Sequence, residues 1–140
     1  HRREWAWEKL NELVLEKQPD ARIAILGLTY KENTSSLKNS PALALVDRLL
    51  DAPLAAYDPA AGDIGYGNVV RADSALAAAA GADGLLVMTP WPEFRSLTAE
   101  QLAEAMEGKV VIDPYQILAG EELIGQGFVY ASLGEPIRRP

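Results

Sequence analysis

Residues 22–28 read Arg-Ile-Ala-Ile-Leu-Gly-Leu, a short apolar run that closes at Gly27. An apolar run without polar alternation is typical of a parallel strand that is buried on both faces. Comparable short runs follow at residues 54–58, 69–70, 84–88, 109–113 and 128–131. Since helical segments separate most of them, we predict an α/β fold with a mostly parallel sheet of about six strands and helices on both faces. The strand order should resemble 3-2-1-4-5-6, with residues 22–28 near the centre.

The helical segments have recognisable starts and faces. Residues 3–17 place one apolar stripe at helical spacing, and Trp5 and Leu15 fall outside it. We therefore expect Trp5 and Leu15 to face water in a monomer and to be buried at a two-fold interface in the intact protein. Ser40-Pro41 begins a largely covered helix over 41–51. Further helices are predicted after Ser74, where the alanines should pack closely on the sheet, after Thr98, and around Glu121.

Composition excludes several function classes. A length of 140 residues fits one domain. The chain has no cysteine, and its one histidine is His1, so thiolate metal sites, cysteine nucleophiles and Ser-His-Asp triads are excluded within it. The net charge of −7 argues against nucleic-acid binding, and no apolar run is long enough to span a membrane. With no signal peptide visible, a cytoplasmic location is expected. The chain is interpreted as a piece of a larger protein, with His1 a remnant of a tag or of cleavage.

Candidate binding residues follow the strand ends, where ligands lie in open α/β sheets. The segment from Gly27 to Pro41 carries Lys31 and Lys38 beside a helix start, which suits a phosphate. The alternative is a solvated loop with two surface lysines. The turn holds one glycine, Gly27, where a dinucleotide fingerprint needs three. Asp58, after the second strand, is either a ribose ligand or an Asp-Pro turn residue.

Two later strand ends leave alternatives open. Residues 89–94, Thr-Pro-Trp-Pro-Glu-Phe, form either one side of a nucleoside pocket or an apolar cap on the sheet edge. Residues 113–116, Asp-Pro-Tyr-Gln, form a binding turn or a plain turn into a short helix.

Residues 24–42 carry a family resemblance. They read A-I-L-G-L-T-Y-K-E-N-T-S-S-L-K-N-S-P-A and resemble the signature that opens the UDP-binding domain of the UDP-glucose/GDP-mannose dehydrogenase family. Later segments agree in order: Tyr57-Asp58-Pro59, residues 82–94, Val110 to Asp113, and residues 127–130. The resemblance covers about residues 20–135 and implies a Rossmann-like domain over residues 19–140. Residues 1–18 would be the end of the central helix that joins two domains and helps build a homo-oligomer.

The resemblance also implies an activity. Family members oxidise the C6 alcohol of a nucleotide sugar to a carboxylate, with two hydride transfers to NAD and a cysteine-bound intermediate. The NAD-binding domain and the cysteine would lie in segments absent from this chain, so the chain itself would hold no catalytic residue and would be inactive alone.

Site residues carry over position by position. Tyr30 and Lys31 match substrate-side positions, and Lys38 stands where an arginine contacts the NAD pyrophosphate. Tyr115 stands where many UDP-sugar enzymes have a substrate arginine, which puts the UDP-glucose assignment in question. The competing hypotheses are a stand-alone nucleotide-binding module without catalysis and a purely structural domain.

Overall fold

The computed structural model of the chain describes residues 2–140, with side chains from Glu4 onward. His1, expected to be a remnant of a tag or of cleavage, lies outside the described residues. Over the described part, six parallel strands form one sheet in the order β3-β2-β1-β4-β5-β6. The strands are β1 (Ile23–Leu26), β2 (Leu54–Tyr57), β3 (Val69–Arg71), β4 (Gly84–Val87), β5 (Val110–Ile112) and β6 (Val129–Ala131). The predicted fold class and strand order are confirmed, and β1 is central: Ile23 aligns with Leu54 on one side and with Gly84 on the other.

Helices cover both faces of this sheet. They are α1 (Arg2–Leu10) with a π-helical turn at Asn11–Leu15, α2 (Pro41–Val46), α3 (Ala75–Ala79), a 3₁₀ segment at Pro92–Ser96, α4 (Ala99–Ala105) and α5 (Gly120–Gly125). The predicted caps form: the hydroxyl of Ser74 accepts from the Ala77 amide, and Thr98 forms a capping box with Gln101. No helix in the described part is both long and apolar enough to cross a membrane.

The side chains of β1 alternate between two cores. Ala24 and Leu26 join a cluster under α3, α4 and α5, where buried alanines of α3 allow the close packing that the sequence predicts. Ile23 and Ile25 join a second cluster under α1 and α2. Since every residue of β1 is buried, the strand is covered on both faces, as its uninterrupted apolar run indicates.

The first helix packs on its own domain more fully than predicted. Ala6 and Leu10 are buried in the second core, and Trp5 and Leu15 are partly buried against the same core. The expectation that Trp5 and Leu15 face water is therefore wrong. Trp5 precedes the π-helical turn and packs against this core from α1. For Leu15 the reason is the π-helical turn, in which the Glu16 amide donates to the Asn11 carbonyl five residues back. This wider turn changes the direction of the side chains that follow Leu10.

The second helix is shorter than predicted. It begins at Pro41, and the Ser40 hydroxyl accepts from the Leu43 amide, as the cap prediction requires. It ends at Val46, and successive i to i+3 turns replace helical spacing up to residue 52. Leu50, expected to be covered, is 56% exposed because it lies in these turns.

Candidate functional site

The loops that follow β1, β2, β4 and β5 meet at the carboxyl edge of the sheet, and the candidate residues lie on them. The first of these loops, residues 27–40, begins at a close contact. Gly27 has a positive φ of 96°, and a Cβ at this position would lie 2.4 Å from the Cβ of Thr89. Only glycine fits such a close approach with this φ. The Thr89 hydroxyl then donates to the carbonyl of Thr29 at 2.9 Å, which fixes the loop on β4.

Asp58 anchors the same loop from the other side. Its Oδ2 accepts from the amides of Leu28 at 2.7 Å and Thr29 at 3.1 Å, and from Nε1 of Trp91 at 3.0 Å. Its Oδ1 accepts from the amides of the next turn, those of Ala60 and Ala61. Asp58 is 6% exposed, and both of its carboxylate oxygens accept hydrogen bonds. Of the two alternatives for Asp58, the structure supports the Asp-Pro turn, because no oxygen is left for a ribose.

The ionisation of Asp58 follows from these contacts. Burial raises the pKa of its carboxyl, but the hydrogen bonds from the amides of Leu28, Ala60, Ala61 and Thr29 outweigh burial, and the pKa lies below its ordinary value. The group is therefore an anion at neutral pH, with its charge neutralised by N–H donors of three loops.

The loop closes on itself beyond Thr29. The Tyr30 amide donates to the Ser36 carbonyl at 2.7 Å, and the Ser40 hydroxyl donates to the Leu28 carbonyl at 2.6 Å. Asn33 and Asn39 adopt left-handed backbone conformations with φ near 60°, which asparagine tolerates better than most residues. Both ends of the loop are thus fixed to the sheet, although its surface is solvated.

Three of the four predicted binding residues lie on this loop. Tyr30 is 50% exposed, and Lys31 and Lys38 are exposed as well. The structure therefore presents an aromatic ring and two cations on one anchored loop. The first amides of α2 add little to it, since α2 has six residues and Ser40 caps the Leu43 amide.

The fourth predicted residue, Tyr115, lies on the turn after β5. Its ring is half-buried against the first core, and its hydroxyl donates to the carbonyl of Met88 at 3.0 Å. Since β4 separates β1 from β5, the Tyr115 turn and the lysine loop share one edge of the sheet with the end of β4 between them. The Tyr115 hydroxyl is therefore already engaged with the protein.

Residues 89–94 belong mainly to the core. Phe94 is fully buried and Trp91 is 9% exposed. The Tyr57 ring meets Phe94 edge to face, and its hydroxyl donates to Glu93. Burial, this hydrogen bond and the nearby charges raise the pKa of Tyr57 above its ordinary value. Of the two alternatives for this segment, the structure supports the cap on the sheet edge.

Asp113, which the sequence analysis treats only as the first residue of the turn at 113–116, is a second buried carboxylate. Asp113 is completely buried, and its Oδ2 accepts from the Leu118 amide and from the Tyr130 hydroxyl, each at 2.8 Å. Its Oδ1 is buried without a hydrogen-bond partner among the described residues. Burial and the Asp113 charge raise the pKa of Tyr130 above its ordinary range. An aspartate before a proline at a strand end, repeated at 58 and 113, was the available signal.

Metal ligands are not grouped in the described residues: no set of three or more His, Cys, Asp or Glu side chains is placed to hold an ion. The carboxyl edge of the sheet presents two exposed cations, Lys31 and Lys38, and two tyrosine rings, those of Tyr30 and Tyr115.

The chain is similar to a known protein family over most of its length. The profile of the UDP-glucose/GDP-mannose dehydrogenase family, UDP binding domain, matches residues 24–120. UDP-glucose 6-dehydrogenase of Rhizobium meliloti is 38% identical over 121 residues, which are 83% of this chain and 28% of that enzyme. The corresponding enzyme of Rickettsia conorii is 35% identical over 122 residues, which are 82% of this chain and 28% of that enzyme.

A solved structure is similar as well. UDP-D-ManNAc dehydrogenase from Pyrococcus horikoshii matches with a TM-score of 0.76 and 32% identity, covering 94% of this chain and 30% of that one. The chain thus spans about a third or less of the length of these relatives. From the match over residues 24–120, the chain belongs to the UDP-glucose/GDP-mannose dehydrogenase family and contains its UDP binding domain.

Proposed function

We propose that this chain is the nucleotide-sugar-binding part of an NAD-dependent nucleotide-sugar 6-dehydrogenase. The observation that carries the proposal is the anchored loop after β1, which lies inside the family match and displays Lys31 and Lys38 at the carboxyl edge of the sheet. Two exposed cations on a rigid support suit a diphosphate, since the support lowers the ordering cost of binding. A UDP-sugar is the ligand class that the matched domain favours.

The residues at the carboxyl edge of the sheet would contact different parts of the ligand. Lys31 would meet the diphosphate or the sugar, Tyr30 would contact the ligand from the same loop, and the ring of Tyr115 would form a neutral contact from the turn after β5. Tyr115 brings no charge, so electrostatic attraction would come from the lysine loop alone on this side of the ligand. That distribution leaves the identity of the sugar open to a substrate other than UDP-glucose.

NAD would be held mainly outside this chain. The turn after β1 has one glycine, Gly27, and Thr89 fills the space beside it, so no cradle for a pyrophosphate exists there. Lys38 is exposed and fits a contact with the pyrophosphate from across a cleft. When bound, NAD would accept the two hydrides removed from the sugar alcohol, one on each of two molecules, and water would supply the second carboxylate oxygen.

The domain arrangement is also part of the proposal. Residues 1–18 would be the end of a central helix, residues 19–140 the binding domain, and an N-terminal NAD-binding domain would complete the enzyme. Helix α1 packs on the second core through Ala6 and Leu10, so it belongs mechanically to this domain. A homo-oligomer stays a prediction that rests on the resemblance, because Trp5 and Leu15 are already partly covered.

A titration of the isotope-labelled chain with UDP tests the binding role by NMR. Amide shifts should concentrate in residues 29–39 and in the turn at 113–116, and Lys31→Ala should weaken UDP binding by about tenfold or more, as loss of a charge contact does. Lys17→Ala is the matched control: Lys17 is an exposed lysine that precedes β1, at the opposite edge of the sheet. Equal affinities of the two variants would contradict the assignment of Lys31.

The dehydrogenase role has its own test. The chain alone, given NAD and UDP-glucose, should produce no NADH absorbance, because it has neither a cysteine nor a dinucleotide turn. The full-length protein that contains it should produce NADH with a nucleotide sugar. Turnover by the chain alone would refute a divided active site, and a full-length protein that binds UDP without turnover would favour a binding module.

A further inference from the structure

The feature that the proposed function does not use is the divided hydrogen bonding of Asp58. One oxygen, Oδ1, closes the local turn through the amides of Ala60 and Ala61. That is all an Asp-Pro turn requires. The other oxygen, Oδ2, reaches two different loops instead, through Leu28 and Thr29 on one side and Trp91 on the other.

The Oδ2 partners lead directly to the cation. Leu28 and Thr29 are fully buried and immediately precede Tyr30 and Lys31. The Thr29 hydroxyl lies 3.2 Å from Oδ2 of Asp58 and 3.1 Å from the carbonyl of Lys31, and it can donate to one of them at a time. A single residue therefore connects the buried carboxylate to the backbone of the exposed lysine.

The other described contacts of this stretch hold different groups. The Thr89 hydroxyl holds the carbonyl of Thr29, but not its amide. Ser40 holds the carbonyl of Leu28, and again not the amide. The amides of Leu28 and Thr29 both donate to Asp58, and the next amide, that of Tyr30, donates to the Ser36 carbonyl within the loop. The direction in which the loop leaves the sheet therefore depends on the carboxylate of Asp58.

We propose that Asp58 is a positioning residue for Lys31: its carboxylate sets the loop direction through Leu28 and Thr29, and so determines where the Lys31 ammonium meets the ligand. The inference rests on the proposed function for its binding readout. Asp58 itself touches no ligand, since it is buried beneath the loop. Trp91 ties the same carboxylate to the segment after β4, which keeps the two loops in fixed relation.

Asp58→Asn is the test, because an amide keeps the size of the side chain but replaces one acceptor oxygen with an NH₂ donor that faces N–H groups. Asp63→Asn is the matched control. Asp63 lies in the same loop after β2, is exposed, and accepts from the amide of Gly65 with a geometry that concerns only its own turn.

Amide hydrogen exchange gives the readout that needs no ligand. In Asp58→Asn, exchange at Leu28 and Thr29 should rise by about tenfold relative to Leu86 in the central strand β4, whereas Asp63→Asn should leave that ratio unchanged. An equal rise at Leu28, Thr29 and Leu86 would mean general destabilisation and would overturn the proposal.

Binding of UDP gives the second readout, as a double-mutant cycle. Asp58→Asn should weaken UDP binding by about tenfold, the order expected when a contact group is displaced. Added to Lys31→Ala, it should change affinity by less than about twofold, since a residue that acts through Lys31 has no effect once Lys31 is gone. Effects that multiply would overturn the proposal.

Failure of the two proposals can be told apart. If the wild-type chain binds no UDP, the proposed function fails, and the exchange measurement still decides whether Asp58 orients the loop. Should Asp58→Asn not fold, Thr29→Val replaces it: this variant removes the hydroxyl between Asp58 and Lys31 while keeping the side-chain shape. Weaker UDP binding that disappears in the Lys31→Ala background would support the positioning role, and unchanged or multiplying effects would refute it.

Discussion

Two strands of the sheet, β2 and β5, are each followed directly by the dipeptide Asp-Pro, and the two aspartates differ in the segments that they connect. Asp58 divides its oxygens between its own turn and two other loops, and both oxygens have partners. Asp113 uses one oxygen for Leu118 and Tyr130, and its Oδ1 is buried without a partner. The same local sequence therefore produces a carboxylate that gathers donors from several loops and one that is only half satisfied. The difference lies in the surrounding donors, which come from segments distant in sequence.

The largest difference in stability between the two positions is expected for their alanine variants. Asp58→Ala strands the amides of Leu28 and Thr29 and the indole N–H of Trp91 in buried positions, and should lower the free energy of unfolding by about 3–5 kcal/mol. Asp113→Ala removes fewer bonds and a half-satisfied charge, and should cost about 1–3 kcal/mol. Urea unfolding of both variants measures the difference. A larger loss for Asp113→Ala would reverse the ranking of the two anchors.

Tyr130→Phe tests how much of the Asp113 anchor depends on one hydroxyl. The variant leaves the Leu118 amide as the described donor to Oδ2, so we expect a loss of about 1–2 kcal/mol in the free energy of unfolding. Val129, the half-buried neighbour of Tyr130 on the edge strand β6, offers a comparison: Val129→Ala removes apolar contact with the second core and no hydrogen bond to Asp113. Stability equal to wild type in Tyr130→Phe would show that the hydroxyl contributes nothing net.

The free energy of unfolding should depend on pH through both groups of contacts. Asp58 should control the loss of stability at acid pH (the acid limb), and Tyr130, the partner of Asp113, should contribute to the loss at alkaline pH (the alkaline limb). The pKa of Asp58 is lowered in the fold, so its contribution is complete above the unfolded pKa of about 3.9 and is lost as pH falls through the folded pKa. The pKa of Tyr130 is raised, so its contribution is complete below about pH 10 and is lost as pH rises further.

The free energy of unfolding measured across pH checks both limbs. Asp58→Asn should flatten the acid limb and leave the alkaline one, and Tyr130→Phe should do the reverse. Tyr57 and Tyr66 also have raised pKa values, so Tyr130→Phe should reduce the alkaline slope without abolishing it. An acid limb that is unchanged in Asp58→Asn would contradict the assignment.

Asp113→Asn should have the smallest effect. An amide can keep its oxygen toward Leu118 and Tyr130 and place its NH₂ where the orphaned Oδ1 lies, so charge is removed from a buried position with little loss of bonding. We expect a change within about 1 kcal/mol in either direction. Asp58→Asn under the same conditions should lose clearly more, and equal losses would remove the distinction between the two carboxylates.

Sequence patterns were sufficient to predict the sheet, but not to predict the hydrogen bonds of Asp58 and Asp113. The apolar run at 22–28 predicts a central strand because burial on both faces leaves a local signature. The role of Asp58 depends on donors at Leu28 and Trp91, which lie about thirty residues away in either direction. The sequence alone therefore left two alternatives for Asp58, a turn residue or a ribose ligand. Likewise, Tyr115 is visible as a strand-end aromatic, but its bond to Met88 depends on the neighbouring strand.

The partial burial of Leu15 could not be predicted from the sequence for a different reason. Helical spacing assumes one period throughout, and the π-helical turn at Asn11–Leu15 breaks it within a segment whose composition gives no warning. Leu50 shows the same limit at the end of α2, where turns replace the helix.

That π-helical turn makes the first helix tolerant of a change in its length. Such a turn holds one residue more than an α-helical turn would, so deleting the exposed Glu12 would let the segment continue as a regular α-helix. The parts on either side would keep their relative orientation, because an α-helical turn covers the same rotation with one residue fewer. Ala6 and Leu10 would therefore stay in the second core together with Leu13 and Val14. In a regular α-helix of the present length, by contrast, the part after Leu10 would be rotated by about 100°, the angle between successive residues. The extra residue is thus absorbed within one turn, and both ends of the helix face the same sheet.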